Sequence, residues 1–415
     1  MQKHLLALAA GVATLAFTTG SYAGSNNTVD LSQSGSGNSA ETSQQNEVNY
    51  SRYIRINQDG VANTSKATQT QGVYNGQIYI DQKGTDGQTA TRNSSEATQN
   101  SGSTNSVISI SQGGFGDGGN NGATAIVTQN QGNDNQASVT QVASIATTTV
   151  NQTGNSNRAY AEQIERNGSA QYSMIRIDQN SDNNFAYARQ TTGTTNATIS
   201  QGGSGSHRVE SYQLQGTANL LVTQTGYHNT AYNYQQTGGG NNRSATIDQA
   251  GADGLVYNLQ TGGDNDFKAI QTASSSGSQI YNYQYGNNNS LDTYQNGGGG
   301  NLIVSTQSGT GAKAYAYQYS GNGNQISNDQ RSSGGDYAYL TQQGTGYNII
   351  NLTQQGGAAG NSATISQDGY YNRAYAQQNQ YGGAAQNTLT ISQTGSANLA
   401  NAVQAGSGNV ATIRQ

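Results

Sequence analysis

The side chains of this chain that could act together chemically are carboxamides, and they recur at a fixed spacing. The frame Gln, four residues, Asn, five residues, Gln is met in full at least ten times. A carboxamide both donates and accepts hydrogen bonds, so identical amides stacked at one spacing satisfy one another. A single buried amide without a partner would instead cost about 1–3 kcal/mol. The sequence therefore predicts amide ladders that need many repeats.

The predicted ladder residues all belong to this frame and are expected to point inward. They are Gln33, Asn38, Gln44, Gln58, Asn63, Gln69, Gln152, Asn157, Gln163, Gln179, Asn184, Gln190, Gln224, Asn229, Gln235, Gln260, Asn265, Gln271, Gln284, Asn289, Gln295, Gln367, Asn372, Gln378, Gln393, Asn398, Gln404, Asn409 and Gln415. A fixed internal period is the signature of stacked repeat architectures.

Other reactive side chains show no arrangement that indicates catalysis. The three histidines, His4, His207 and His228, are scattered, and the chain has no Cys for thiolate sites or disulfides. No carboxylate pair, nucleophile–base arrangement or phosphate loop is present. We expect no enzyme activity, no cofactor and no small-molecule substrate.

Four aspartates each precede a ladder glutamine and are expected to face outward. They are Asp81, Asp178, Asp248 and Asp329. Calcium binding is one interpretation, but the glycine-rich nonapeptide that binds Ca²⁺ in β-helices is missing. A solvated acidic edge is the favoured interpretation, and no metal site is predicted.

The composition favours stacking over either a globular core or disorder. Of 415 residues, 32% are hydrophobic and 9% charged, with 56 Gly, no Pro and a net charge of −5. Gln and Asn supply about a quarter of the chain. Pro would interrupt a strand ladder, and a polar, uncharged, Pro-free composition is typical of cross-β stacking. The weak acidity excludes the basic stripe that nucleic-acid binding needs.

The elements that must position the amides are short strands separated by tight turns. Thr388–Gln393 alternates Leu, Ile and Gln on one side with Thr and Ser on the other, which predicts a strand. A Gly-bearing turn such as Thr225–His228 follows each ladder glutamine. We predict an all-β fold, a cross-β, amyloid-like β-solenoid of stacked strand-turn-strand repeats, with about sixteen turns over residues 29–415.

The N-terminus is predicted to be a secretory signal peptide. Lys3 precedes an apolar stretch from Leu5 to Phe17, and Ala23 ends a small-residue cleavage site, so residues 1–23 should be removed. Helix is expected only there. Residues 24–28 form a short segment before the repeats, and the chain is expected to be secreted.

Some repeat spacings are irregular. The intervals Gln82–Gln99 and Gln112–Gln129 contain inserts, and Gln141–Gln152 lacks its Gly-Asn turn. We expect loops or local register shifts there.

A stripe of tyrosines is predicted on the outer surface, three residues before a ladder glutamine. These are Tyr160, Tyr187, Tyr232, Tyr257, Tyr281, Tyr315, Tyr339 and Tyr375. One interpretation is β-propensity with packing between neighbouring turns; the other is lateral fibre packing or surface contact. The wider gaps after Tyr281 and Tyr339 mean that the stripe changes face or that segments near Gln295 and Gln354 loop out.

The frame, the missing Pro, the Gly/Asn turns and the signal peptide together resemble the curlin-repeat family of bacterial curli fibre subunits. The resemblance implies a secreted subunit of an extracellular functional amyloid, a fimbrium or pilus that serves adhesion and biofilm matrix. It implies as partners further copies of the chain stacked end to end, other curlin-like subunits, a nucleator and an outer-membrane secretion channel. The alternative is a monomeric β-solenoid surface adhesin or nucleator that displays a flat Tyr/Thr face.

Overall fold

The chain divides into two compact units, Met1–Leu214 and Gln215–Gln415. The computed structural model describes residues 9–10, 14–17, 27–45, 51–70, 72–84, 93–100, 102–113, 122–142, 145–164, 172–236, 242–381 and 385–415. Every regular element in these ranges is a β-strand. No helix in these described ranges is long and apolar enough to span a membrane.

The first unit contains nineteen described strands. They are β1 (Ala9–Ala10), β2 (Thr14–Phe17), β3 (Asn27–Ser36), β4 (Ser39–Gln44), β5 (Arg52–Val61), β6 (Thr64–Gln69), β7 (Gln77–Lys83), β8 (Ser94–Gln99), β9 (Ser103–Thr104), β10 (Val107–Gly113), β11 (Thr124–Asn130), β12 (Gly132–Asn133), β13 (Gln136–Val142), β14 (Ala146–Thr153), β15 (Arg158–Ile164), β16 (Ser173–Gln179), β17 (Phe185–Thr191), β18 (Thr195–Gln201) and β19 (Arg208–Leu214).

The second unit contains seventeen described strands. They are β20 (Ala218–Gln224), β21 (Thr230–Gln236), β22 (Arg243–Gln249), β23 (Leu255–Thr261), β24 (Asp266–Gln271), β25 (Gln279–Asn287), β26 (Ser290–Asn296), β27 (Leu302–Thr310), β28 (Lys313–Tyr319), β29 (Gln325–Arg331), β30 (Tyr337–Gly346), β31 (Ile349–Gly356), β32 (Asn361–Tyr370), β33 (Arg373–Gln380), β34 (Asn387–Ser396), β35 (Leu399–Ala405) and β36 (Val410–Arg414).

Within each unit, alternate strands build two parallel sheets. Sheet 1A of the first unit contains β1, β3, β5, β7, β10, β13, β15, β17 and β19, and sheet 1B contains β2, β4, β6, β8, β11, β14, β16 and β18. Sheet 2A of the second unit contains the odd-numbered strands β21–β35, and sheet 2B the even-numbered strands β20–β36. Each unit is thus a β-solenoid, which confirms the all-β stacked fold that the repeat predicts.

Alternation along each strand decides which side chains enter the narrow interior. In β22, Ala245, Ile247 and Gln249 are buried, whereas Thr246 between them is not. Successive strands then pair in register, so Gln58 of β5 aligns with Gln82 of β7. Period-two alternation and parallel register together place like residues in columns.

Glycine is required where stacked turns touch. Gly35 has a φ of 95°, and a Cβ added there would lie 2.0 Å from the carbonyl oxygen of Gly60 in the next turn. No residue with a side chain fits such a contact.

The N-terminal strands differ from the expectation for the signal segment. β1 pairs with β3 at Gln33 and Ser34, and β2 pairs with β4 over Ser39–Thr42. The expected helix is therefore wrong at these described residues, while removal of residues 1–23 stays a prediction.

The predicted irregularities at residues 85–92, 114–121 and 143–144 lie outside the described residues. The strands on either side keep their register, since Gln82 aligns with Gln112 and Gln99 with Gln129. The inserts therefore leave the columns of glutamine uninterrupted.

Candidate functional site: amide ladders and outer faces

The glutamines at the strand ends form continuous hydrogen-bonded columns in each sheet. In sheet 1A the column contains Gln33, Gln58, Gln82, Gln112, Gln141, Gln163, Gln190 and Gln213, joined at 2.6–3.0 Å. In sheet 1B it contains Gln44, Gln69, Gln99, Gln129, Gln152, Gln179 and Gln201, at 2.8–3.0 Å.

The second unit repeats this arrangement. The sheet 2A column contains Gln235, Gln260, Gln284, Gln307, Gln330, Gln354, Gln378 and Gln404, joined at 2.7–3.0 Å. The sheet 2B column contains Gln224, Gln249, Gln271, Gln295, Gln318, Gln342, Gln367, Gln393 and Gln415, at 2.8–3.0 Å.

Each column has one polarity. In every bond the Nε2 of one glutamine donates to the Oε1 of the glutamine in the following turn, as Gln354 does to Gln378 at 2.8 Å. The second Nε2 proton of most ladder glutamines donates to a backbone carbonyl of the facing sheet, as from Gln378 to Ser362 at 3.1 Å. A ladder glutamine therefore joins neighbouring turns and also ties the two sheets together.

The asparagines use backbone partners, which corrects the expectation that every inward amide donates to its equivalent. Asn38 Oδ1 accepts the backbone N–H of Asn63 at 3.0 Å, and Asn38 Nδ2 donates to the carbonyls of Ser34 and Gly60. Because the shorter side chain ends near the main chain, it holds its own turn closed and fixes the next turn onto it. Direct amide pairs, such as Asn387 to Asn361 at 3.1 Å, are the less common arrangement.

Most predicted ladder residues are buried, and the exceptions lie in the outermost turns. Gln44, Asn398, Asn409 and Gln415 retain exposure. The full frame also missed ladder glutamines, among them Gln82, Gln112, Gln307 and Gln330, because no complete frame begins or ends at them. The signal that would have found them is a glutamine closing an alternating strand.

Charged residues occupy the asparagine position in three turns. Arg52, Arg243 and Asp336 are each almost fully buried. Arg243 donates from one Nη to the carbonyl of Gln215, while its Nε and other Nη have no partner among the described residues. Burial lowers the pKa of Arg243 to about 10.

Asp336 takes the place of an asparagine acceptor. Its Oδ1 accepts the backbone N–H of Asn361 at 2.8 Å and the Nδ2 of Asn361 at 3.1 Å. Burial raises the pKa of Asp336 above its ordinary value, although hydrogen bonds from Ser332 and Asn361 act in the opposite direction. Desolvation of the carboxylate is the larger effect.

The eight tyrosines of the predicted stripe lie on outer faces but not on one sheet. Tyr160 and Tyr187 lie on sheet 1A; Tyr232, Tyr257, Tyr281 and Tyr375 lie on sheet 2A; Tyr315 and Tyr339 lie on sheet 2B. The stripe therefore changes face, and Gln295 and Gln354 remain in their columns. Looping out of those two segments is the alternative that the structure excludes.

Three of the four predicted outward aspartates lie beside a basic side chain of their own strand. Asp81 lies 3.4 Å from Lys83, Asp178 2.6 Å from Arg176 and Asp329 2.6 Å from Arg331. No group of three or more His, Cys, Asp or Glu side chains able to hold a metal ion occurs in the part of the chain that the structure describes.

Comparison with known proteins gives no relative. No family model matches the sequence, and no curated protein matches it. Function is therefore argued from the ladders, the edges and the outer faces.

Proposed function

We propose that the chain is a secreted structural subunit that assembles end to end into extracellular, curli-like functional amyloid fibres for adhesion and biofilm matrix. The observation that carries the proposal is the uniform polarity of the glutamine columns. A column whose bonds all point the same way ends with an acceptor at one end and a donor at the other, so copies can join only head to tail.

The start of the sheet 1A column and the end of the sheet 2A column are chemically complementary. Gln33 Oε1 is buried and has no hydrogen-bond partner among the described residues. At the other end, Gln404 Nε2 donates to the carbonyl of Thr388, which leaves its second proton for a further turn. Stacking β35 of one copy on β3 of the next would pair Gln404 with Gln33, and Gln415 with Gln44.

The outer strands of the described chain also supply strand edges. β35 pairs with β33 and β36 with β34, each on one side only within the described residues. Inward residues Ala411 and Ile413 keep some exposure there, whereas their partners Leu389 and Ile391 are buried. Unpaired strand edges recruit further strands.

At the opposite edge, β1 and β2 cover β3 and β4 over two and four residues. A chain that begins at Gly24, the predicted mature start, would leave that edge open. The resemblance to curlin repeats supports secretion, location at the cell surface and the proposed partners: further copies, curlin-like subunits, a nucleator and a secretion channel.

The test is assembly of the chain from Gly24 to Gln415 in buffer, followed by electron microscopy and thioflavin fluorescence. Wild-type chain should form unbranched fibres. Replacement of both terminal donors, Gln404→Leu with Gln415→Leu, should reduce elongation at least tenfold, while the outward change Gln377→Leu should leave it unchanged. Fibres that elongate equally in all three would contradict the ladder account.

A monomeric adhesin or nucleator is the second candidate, and the aromatic outer faces favour it. Tyr315, Tyr317 and Tyr339 lie with ring centroids 5.8–6.3 Å apart on sheet 2B. Flat aromatic surfaces suit contact with another surface. A chain that stays monomeric at high micromolar concentration yet adheres to cells or abiotic surfaces would support this candidate over the fibre.

A further inference from the structure

One outer face of the second unit is both aromatic and free of charge. The outward side chains of β21, β23, β25 and β27 in sheet 2A, here called the tyrosine face, are Thr230, Tyr232, Tyr234, Gln236, Leu255, Tyr257, Leu259, Thr261, Gln279, Tyr281, Tyr283, Tyr285, Leu302, Val304, Thr306 and Ser308. None of these is ionisable near neutral pH.

The tyrosine rings of this face form a packed cluster. Tyr257 lies at the centre, with ring centroids at 5.6–6.5 Å from Tyr232, Tyr234, Tyr281 and Tyr283. Burial by its neighbours raises the pKa of Tyr283, which reflects a partly desolvated surface. The rings hold one another in place, so little side-chain entropy would be lost on binding.

The size of the face sets what it can bind. Seven-residue stretches of these four strands cover about 400 Å², which is about half of what one partner contributes to a standard interface. The whole outer face of sheet 2A, eight strands from β21 to β35, covers about twice that area. The strand that borders the tyrosine face, β29, carries the charges Arg331 and Asp329, paired at 2.6 Å. An aromatic, uncharged surface next to a strand whose charges pair with each other is typical of a protein interface.

We propose that the tyrosine face packs against the same face of a second copy of this chain. The proposal rests on the proposed fibre function and adds that each fibre contains two stacks joined side by side. Self-pairing fits because a two-fold axis places one uncharged tyrosine face on another, so that no charge is buried without a partner. Flat, parallel, in-register sheets of low charge pack face to face in the same manner in cross-β assemblies.

The experiment compares two pairs of charge insertions in the same two turns. Tyr257→Arg with Tyr281→Arg puts charges in the centre of the tyrosine face. Ile270→Arg with Tyr294→Arg puts equal charges on the opposite face, in sheet 2B. Mass per unit length of the fibres, measured by dark-field electron microscopy, should halve for the tyrosine-face pair and stay unchanged for the control pair.

Other results would contradict the proposal, or would show whether the face-to-face contact or the fibre function is wrong. Unchanged mass per length in the tyrosine-face pair would refute it. If the arginine pair lost its β-sheet circular dichroism, the milder pair Tyr257→Ser with Tyr281→Ser should give the same halving. If no chain formed fibres, the fibre function would fail. Sedimentation of the soluble chain would then test the contact between tyrosine faces by itself. A dimer that forms in the wild-type chain and is abolished only by the tyrosine-face substitutions would support the contact. A wild-type chain that is monomeric would refute it.

Discussion

The two units share their interior and differ in their outer faces. Both contain the same glutamine columns at nearly the same bond lengths. Sheet 1A, however, carries ionisable outward side chains in most strands, and Glu162 there accepts from Tyr187 at 2.9 Å and lies 3.8 Å from Arg189. The tyrosine face of sheet 2A has no such group.

The same residue type has different neighbours in the two units. Burial, reinforced by the bond to Glu162, raises the pKa of Tyr187 to about 12. Tyr257 in the second unit packs against four other tyrosine rings. The difference shows that the repeat fixes the interior, whereas the outer positions are free to carry separate contacts.

The largest effect should come from the shared interior. Gln378→Leu removes the bonds to Gln354, Gln404 and Ser362 and leaves buried donors and acceptors unpaired. We expect a loss on the order of 3 kcal/mol in the free energy of unfolding, measured with denaturant. The adjacent outward change Gln377→Leu should cost less than about 0.5 kcal/mol.

The same change in the first unit sharpens the comparison. Gln163→Leu removes equivalent ladder bonds to Gln141 and Gln190. It should destabilise the chain about as much as Gln378→Leu. A harmless Gln163→Leu would show that the two units are not held by the same interaction.

The next effect concerns Arg243, a buried cation that stands at an asparagine position of the second unit. Arg243→Asn should stabilise the chain by about 1–3 kcal/mol, because a buried cation with two unpartnered nitrogens is replaced by an amide that can accept the N–H of the next turn. The measurement is the denaturant midpoint. As control, Arg373→Asn on the exposed outer face should change little, and equal effects of both would argue against a buried penalty.

A pH effect should follow from Asp336. Since its folded-state pKa lies above the ordinary 3.8, the folded chain holds this proton more tightly than the unfolded chain. The stability that it contributes is full below pH 3.8 and is lost as the pH rises through the folded-state pKa. The wild-type chain should therefore lose stability between acidic and neutral pH. The variant Asp336→Asn should not show this loss, as measured by thermal melts.

Asp329→Asn is the matched control for this titration, because Asp329 lies on the outer surface beside Arg331. Its melts should keep the pH dependence of the wild-type chain. A wild-type chain whose stability does not fall across this range would contradict the assigned desolvation.

The smallest effect is expected from an isolated member of the tyrosine stripe. Tyr375 aligns with Asn351 and Asn401 on the neighbouring strands, so no ring packs against it in register. Tyr375→Thr should change the free energy of unfolding by less than about 0.5 kcal/mol and leave fibre mass per length unchanged. A marked change in fibre mass per length would mean that the contact between two stacks extends beyond the tyrosine face.

Much of the fold could be predicted because one period determines it. The alternation in strands such as Asn387–Ser396 fixes facing, and the glutamine spacing fixes the columns. The asparagine bonds could not be predicted, because they depend on how close the short side chain of Asn38 comes to the backbone of Asn63. The clustering of rings around Tyr257 could not be predicted either, because the spacing alone does not show which tyrosines lie on sheet 2A and which on sheet 2B.

Head-to-tail stacking in register is tested most directly by cysteine pairing, because the chain has no Cys of its own. Alignment of Gln404 with Gln33 of the next copy places Val403 beside Ser32, at a strand spacing of about 4.8 Å that a disulfide can bridge. Chains from Gly24 with Val403→Cys or Ser32→Cys should be mixed, assembled and oxidised, then analysed by mass spectrometry. The account predicts a disulfide between positions 403 and 32 that forms only in the mixture. Linkage of 403 to 403 alone, or fibres without any linkage, would contradict it.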